Sequence, residues 1–190
     1  MPGDPVLIRV SVTDISERQR YQREIERLAF SDELTGLPNR RLLLDRLNQA
    51  VAASVRHNVH GALVFIDLDG FKTINDRLGH ATGDAALTHL ATLAREAMRP
   101  QDTLARYGGE EFAVTLPFTS KAAYEEVSSN IVSAVRALAI PHEKNEWGVT
   151  TISVGGAYLD AANGDLSHVF RQADERLYRA KAQGRNQAVV

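Results

Sequence analysis

The 190-residue chain contains no cysteine. That excludes a disulfide framework and any metal centre built on thiolates. It contains no apolar run of the length a membrane span needs, and its N-terminus lacks the charged-then-apolar pattern of a signal peptide. A cytoplasmic setting without direct membrane contact is expected, with any membrane anchor lying outside this stretch. There is no excess of positive charge: 22 Lys and Arg against 24 Asp and Glu give a net charge of −2. DNA and other nucleic-acid polymers are therefore not the expected partners. Internal repeats and low-complexity segments are also missing.

What remains is a hydrophobic content of 44%, enough for a sizeable core, and a length suited to one domain with an appendage. Residues 5–13 alternate, with Val6, Ile8, Val10 and Val12 on one side, as in a strand. Asp14 then offers an N-cap, with Glu17 in the capping-box position, for a charged helix over 14–30. Tyr21, Ile25 and Leu28 form a narrow apolar stripe on it. That stripe is either the edge of a solvated helix or the seam of a short parallel coiled coil, and the pattern leaves both open.

Beyond residue 39 the periodicities predict helix over 40–57, strand over 61–68, helices over 73–79 and 84–98, and strands over 103–107 and 111–116. Helix over 120–139, strand over 148–158, helix over 166–182 and a short strand over 186–190 follow. Helices alternate with strands around one antiparallel hairpin. The expected class is α+β, an α/β sandwich in which helices flank a mixed sheet.

Two places carry unusual charge. Arg106-Tyr107-Gly108-Gly109-Glu110-Glu111-Phe112 puts two carboxylates directly after two glycines that read as a tight hairpin turn. Adjacent glutamates contribute nothing to a strand, so a positive group is expected to meet them. The apolar run Gly61 to Leu68 ends in Asp67 and Asp69, which share one side of a strand, while Ile66 and Leu68 share the other. Gly70-Phe71-Lys72 and a helix start follow. Carboxylates beside a helix N-terminus suit a divalent metal with a nucleotide phosphate.

The run Phe65-x-Asp67-x-Asp69-x-Phe71-Lys72-x-x-Asn75-Asp76-x-x-Gly79-His80-x-x-Gly83-Asp84, followed by Arg106 to Phe112, resembles the GGDEF family of diguanylate cyclases. Asp32-x-Leu34-Thr35-Gly36-Leu37-Pro38-Asn39-Arg40 is similar to the family's opening motif. Leu177-Tyr178-x-Ala180-Lys181-x-x-Gly184-Arg185-Asn186 is similar to its closing one. The resemblance covers 31–190 and implies a central five-stranded sheet like that of nucleotide cyclases and polymerase palms. The preceding strand and Thr13 to Arg18 resemble the end of a PAS sensor and its exit helix. This divides the chain into a sensor remnant (1–13), a linker helix (14–30) and the cyclase domain.

The resemblance implies Mg²⁺ (or Mn²⁺) held by Asp67, the Leu68 carbonyl and Glu110. Glu111, as the third carboxylate, completes a second metal site or helps activate the ribose hydroxyl. Asp69 is either a further metal group or a cap for the loop. Asn75 and Asp84 match guanine-reading positions, and a carboxylate suits the N1 and N2 donors of guanine. Asp84 is also expected to cap the helix it opens, with His80 a structural loop residue. The backbone at Phe71, together with Lys72, Lys181 and Arg185, is implied for the triphosphate. Arg106 is a further candidate for phosphate or product. Arg99 and Asp102 match an Arg-x-x-Asp product-inhibition site, while Asn130 stands near the place where some relatives add an arginine. The implied activity is condensation of two GTP into cyclic di-GMP by a homodimer, under an upstream sensor. A GTP-binding regulatory module and a cyclic di-GMP receptor are the alternatives.

Overall fold

A computed structural model describes residues 15–96, 98–142, 145–163 and 165–190. The expected strand over 5–13 and the Asp14 cap lie outside the described residues.

Strand β1 (Gly61–Leu68) is buried along its whole length, which is why it reads as a continuous apolar run. It pairs antiparallel with β3 (Glu111–Pro117) on one side and with β4 (Ile152–Leu159) on the other. Outside them lie β2 (Thr103–Gly108), antiparallel to β3, and β5 (Ala188–Val189), parallel to β4. The result is one five-stranded mixed sheet in the order β2-β3-β1-β4-β5.

The period-two pattern of β1 divides the core. Ala62, Val64, Ile66 and Leu68 face helices α3 (Phe71–Leu78), α4 (His80–Glu96) and α5 (Lys121–Ala137). Leu63 and Phe65 face α2 (Arg40–His57) and α6 (Leu166–Ala182). Asp67 inherits the second face by parity. α6 reaches that face because Gly155 carries no side chain: a Cβ there would stand 2.0 Å from the Leu177 backbone nitrogen. Side-chain caps fix the starts of α2 (Asn39), α5 (Ser120) and α6 (Asp165).

Several boundaries differ from expectation. α3 starts at Phe71 and α4 at His80, both earlier than the apolar pattern indicates. Gly79 separates the two helices, and a single residue there is too short to register as a loop. His80 is therefore helical, and Asp84 sits within α4 rather than capping it. β4 starts only at Ile152, because Pro141 bridges Val149 in a loop of its own. Helix α1 (Ser16–Phe30) leaves Tyr21, Ile25 and Leu28 exposed.

Candidate active site at the end of the central strands

The hairpin does not turn where the two glycines indicate. Arg106 pairs with Phe112, the register then slips, and Gly108 pairs with Glu111. The turn residues are Gly109, at φ 45°, and Glu110 itself. Glycine at the first central position with positive φ suits a type II′ geometry, and the slip is a β-bulge at Tyr107. Glu110 thus stands on the tip of the turn, while Glu111 lies directly across from Asp67 in the β1–β3 register. The Leu68 N–H donates to the Glu110 carbonyl at 3.4 Å, closing the corner.

From the same face of the sheet α6 delivers Lys181, whose Nζ lies 2.7 Å from Asp67 Oδ2. Burial pushes the Asp67 carboxyl above its ordinary range; Lys181 pulls it back, and Glu110 and Glu111 add to the rise. Asp67, Glu110 and Glu111 therefore feel one another, with Lys181 as the near cation. Among the described residues the Glu110 and Glu111 carboxylates accept no hydrogen bond and pair with no cation.

Asp69 has a different task. It is buried, and its carboxylate accepts from Thr151 Oγ1 (2.8 Å), Ser153 Oγ (2.6 Å) and the Asn186 N–H (3.1 Å). Its own N–H donates to the Thr151 carbonyl. These bonds fasten the loop after β1 to β4 and to the segment after α6, which holds Arg185 in a left-handed conformation at φ 62°. The loop-capping alternative describes Asp69, and Thr151 and Ser153 are the partners that the sequence pattern missed. The alternation of β4 places Ser153 toward Asp67, a signal visible only once the pairing is known.

The loop then enters α3 through Gly70, leaving the first-turn N–H groups of Phe71 and Lys72 open at the helix N-terminus. Lys72 is exposed there. Asn75, one turn on, has its Oδ1 buried without a partner, against Gly83 of α4; Asp84 follows, exposed. Arg185 lies beside Asp69, Gly70 and Thr73 around a common cavity. Of the residues expected in the site, Asp67, Leu68, Glu110, Glu111 and Lys181 come together, with Phe71 and Lys72 at the start of α3 and Arg185 on the loop after α6.

Two candidate groups are engaged by the chain's own residues. Arg106 is not open to a ligand: its Nη1 lies 3.2 Å from both Asp32 oxygens and its Nε donates to the Gly109 carbonyl at 2.9 Å. It ties the hairpin tip to the opening motif. Burial alone would raise Asp32, but the N–H and hydroxyl of Thr35 and the Arg106 guanidinium together hold it below the usual carboxylate range. Arg99 and Asp102 also close on each other, through Arg99 Nε–Oδ2 (3.1 Å) and Nη2–Oδ1 (2.9 Å). Arg99 donates further to Thr119 Oγ1, at 2.6 Å.

Among the described residues no three His, Asp or Glu side chains enclose a metal ion. A Mg²⁺ site needs no such cage, since that ion keeps waters and shares phosphate oxygens around one or two carboxylates. A buried Asp67 raised by burial, beside two unpaired glutamates, has the chemistry of such a site. Beyond Glu111 a cavity of about 350 Å³ opens, lined by Phe65, Tyr107, Phe170, Arg171, Asp174 and Leu177; Phe65, Tyr107 and Leu177 lie within motifs, and the sequence pattern does not single out Phe170, Arg171 and Asp174.

Comparison with known proteins agrees with this geometry. The family described as diguanylate cyclase, GGDEF domain, matches residues 29–187. The chain is 38% identical over 168 residues to the bifunctional diguanylate cyclase/cyclic di-GMP phosphodiesterase MucR of Pseudomonas aeruginosa, covering 88% of this chain. It is 41% identical over 162 residues to the diguanylate cyclase DgcP of the same organism, covering 85% of this chain. It spans 24% of the length of each of these relatives. Among solved structures, the coiled coil and GGDEF domain of DgcB from Caulobacter crescentus in complex with c-di-GMP aligns at a TM-score of 0.83 and 29% identity, covering 92% of both chains. No helix among the described residues is long and apolar enough to cross a membrane. With a family match over most of its length, the chain belongs to the diguanylate cyclase GGDEF domain family.

Proposed function

We propose that this domain condenses two GTP into cyclic di-GMP and two pyrophosphates. The observation that carries the reading is the convergence of Asp67, Glu110 and Glu111 with Lys181, beside the open N-terminus of α3. That arrangement offers carboxylates for a divalent ion and donors for a triphosphate at one strand end.

Asp67, the Leu68 carbonyl and Glu110 would hold Mg²⁺ (or Mn²⁺), which, when bound, neutralises charge at the α-phosphate and lowers the pKa of the attacking hydroxyl. Lys181, Arg185, Lys72 and the N–H groups at Phe71 and Lys72 bind the β- and γ-phosphates. Asn75 and Asp84 read guanine, the carboxylate accepting from N1 and N2; adenine would face it with an acceptor. The 3′-oxygen of one GTP bonds to the α-phosphorus of the other as the bond to pyrophosphate breaks. Glu111 takes the hydroxyl proton in this reading. The same exchange in the reverse direction closes the ring.

Each domain supplies one such half-site, so two chains must face each other. The exposed stripe on α1 suits that pairing, and an upstream sensor could bias the geometry through the same helix. Arg99 and Asp102 are assigned to product inhibition: the guanidinium fork and carboxylate now closed on each other would open onto guanine. An Arg99→Ala variant should keep its initial rate and lose inhibition by added cyclic di-GMP.

The test is incubation of the purified protein with GTP and Mg²⁺, products separated by chromatography, beside a Glu110→Ala control. Cyclic di-GMP from the unmodified protein alone is the expected result. GTP bound but unconverted at high protein concentration would favour a regulatory module instead.

A further inference from the structure

The cavity beyond Glu111 has no part in holding the domain's own nucleotide. The guanine-reading pair stands on α3 and α4, which cover one face of the sheet, whereas the cavity lies on the opposite face, between β1, the hairpin and α6. Its volume is about 350 Å³, and Glu111 forms part of its wall.

Its lining is specific in chemistry. Phe65, Tyr107 and Phe170 form an aromatic cluster, with ring centroids 5.1 Å apart for Phe65–Tyr107 and 5.5 Å for Phe65–Phe170. The Arg40 guanidinium lies over the Tyr107 ring at 4.7 Å, fixing it from outside. The rings are therefore packed on one another before anything binds. Tyr107 and Phe170 remain half-exposed, and Asp174 is exposed at the rim. Arg171 is drawn toward Glu175 and His168 on its own helix, at 3.8 and 3.3 Å. Two carboxylates, Glu111 and Asp174, thus face the cavity.

The lining thus combines an aromatic wall with two carboxylates and one arginine that is turned toward its own helix. It suits a neutral group with an apolar face and several hydroxyl donors: a sugar packs its C–H face on aromatic rings and donates its hydroxyls to carboxylates. One group of that kind must come to Glu111. Resting on the condensation reading above, the attacking hydroxyl belongs to the nucleotide that the partner domain carries, and it arrives with its ribose attached.

We propose that this cavity receives the ribose of the partner-held GTP, with Asp174 accepting from its 2′-hydroxyl while the neighbouring 3′-hydroxyl is presented at Glu111. Asp174 is then a substrate-binding residue acting across the dimer, and the preference for ribose over deoxyribose arises here. A hydrogen bond between neighbouring hydroxyl and carboxylate orients the nucleophile, and a misdirected nucleophile costs rate more than affinity.

The experiment compares the full chain with an Asp174→Asn variant, which changes an exposed group without altering its size. The rates of cyclic dinucleotide formation from GTP and from 2′-deoxy-GTP are measured with Mg²⁺, together with the affinity for 3′-deoxy-GTP, which has no nucleophile. The variant should lose about tenfold or more in kcat/KM on GTP and little on 2′-deoxy-GTP, with a smaller loss in 3′-deoxy-GTP affinity than in rate. Equal losses on both substrates, or no loss on either, would overturn the assignment. If the unmodified protein forms no cyclic product from GTP, the condensation reading falls first. If it does form product and the variant keeps the same preference, only the cavity assignment falls.

Discussion

Lys181 Nζ and Asp67 Oδ2 are 2.7 Å apart across the end of the central strand. The pair does not fully compensate the buried aspartate. Burial, with Glu110 and Glu111 pushing the same way, raises the Asp67 carboxyl more than Lys181 lowers it. A carboxyl raised on folding contributes stability only while protonated; that contribution fades as pH climbs through its folded pKa. At neutral pH the ionised Asp67 is thus a cost to the metal-free fold.

An Asp67→Asn variant should accordingly melt higher than the unmodified protein at pH 7–8 in metal-free buffer. The gap should close as pH falls below the ordinary carboxylate range, near pH 4. Adding GTP with Mg²⁺ should raise the melting temperature of the unmodified protein and leave the variant almost unmoved. Thermal melts across pH check both parts. A variant that is less stable at neutral pH contradicts the sign.

Arg106 holds the hairpin through Asp32 and the Gly109 carbonyl. Both partners of the ion pair are mostly buried, at 15% and 22% side-chain exposure, so the contact is shielded better than a surface pair. Arg106→Ala should cost about 2 kcal/mol of stability, read by urea unfolding. It should also lower the turnover rate, because Glu110 stands on the turn that Arg106 steadies. Nucleotide affinity should change little. A variant of unchanged stability whose defect is confined to GTP affinity would restore the phosphate-contact role.

The sequence-level motifs located the site better than they assigned its parts. The parity of β1 correctly separates Asp67 and Asp69 from Ile66 and Leu68, because side-chain alternation is a local property. The sheet and its flanking helices followed from periodicity for the same reason. The hairpin register did not, since a bulge at Tyr107 depends on how two strands pair, and two adjacent glycines permit either turn. Arg106 and Asp69 look alike as charged motif residues. Their partners, Asp32 and the Thr151–Ser153–Asn186 set, lie 74 and from 82 to 117 positions away, and only the fold brings them into contact. The cavity beyond Glu111 is assembled from four segments, and only the packing of the hairpin and α6 against β1 brings them together.

Asn75 and Gly83 form a second pairing that can be tested. A Cβ on Gly83 would lie 2.0 Å from Asn75 Oδ1 and 3.0 Å from its Cγ. No hydrogen bond holds that oxygen, so its position depends on the space beside the glycine. Gly83→Ala should turn the amide away and raise the KM for GTP about tenfold, with a smaller effect on kcat. Steady-state kinetics and a melting curve check this. Unchanged KM in a folded variant would show that Asn75 tolerates the displacement.

The stripe on α1 carries the last prediction. Tyr21, Ile25 and Leu28 are 68%, 61% and 54% exposed, on a helix whose other residues are almost all polar or charged. Apolar side chains at four- and three-residue spacing form a seam, and none of the described residues covers it. If a second copy covers it, pairing and catalysis share one concentration dependence, because a lone half-site cannot close the ring. Replacing Ile25 and Leu28 together by Ser should shift the monomer–dimer midpoint upward by tenfold or more, measured by sedimentation. The specific activity should fall by a similar factor at low protein concentration and recover as concentration rises. An effect on activity that persists at saturating protein would point to altered geometry within the dimer. Unchanged dimerisation and unchanged activity would remove the helix from the assembly altogether.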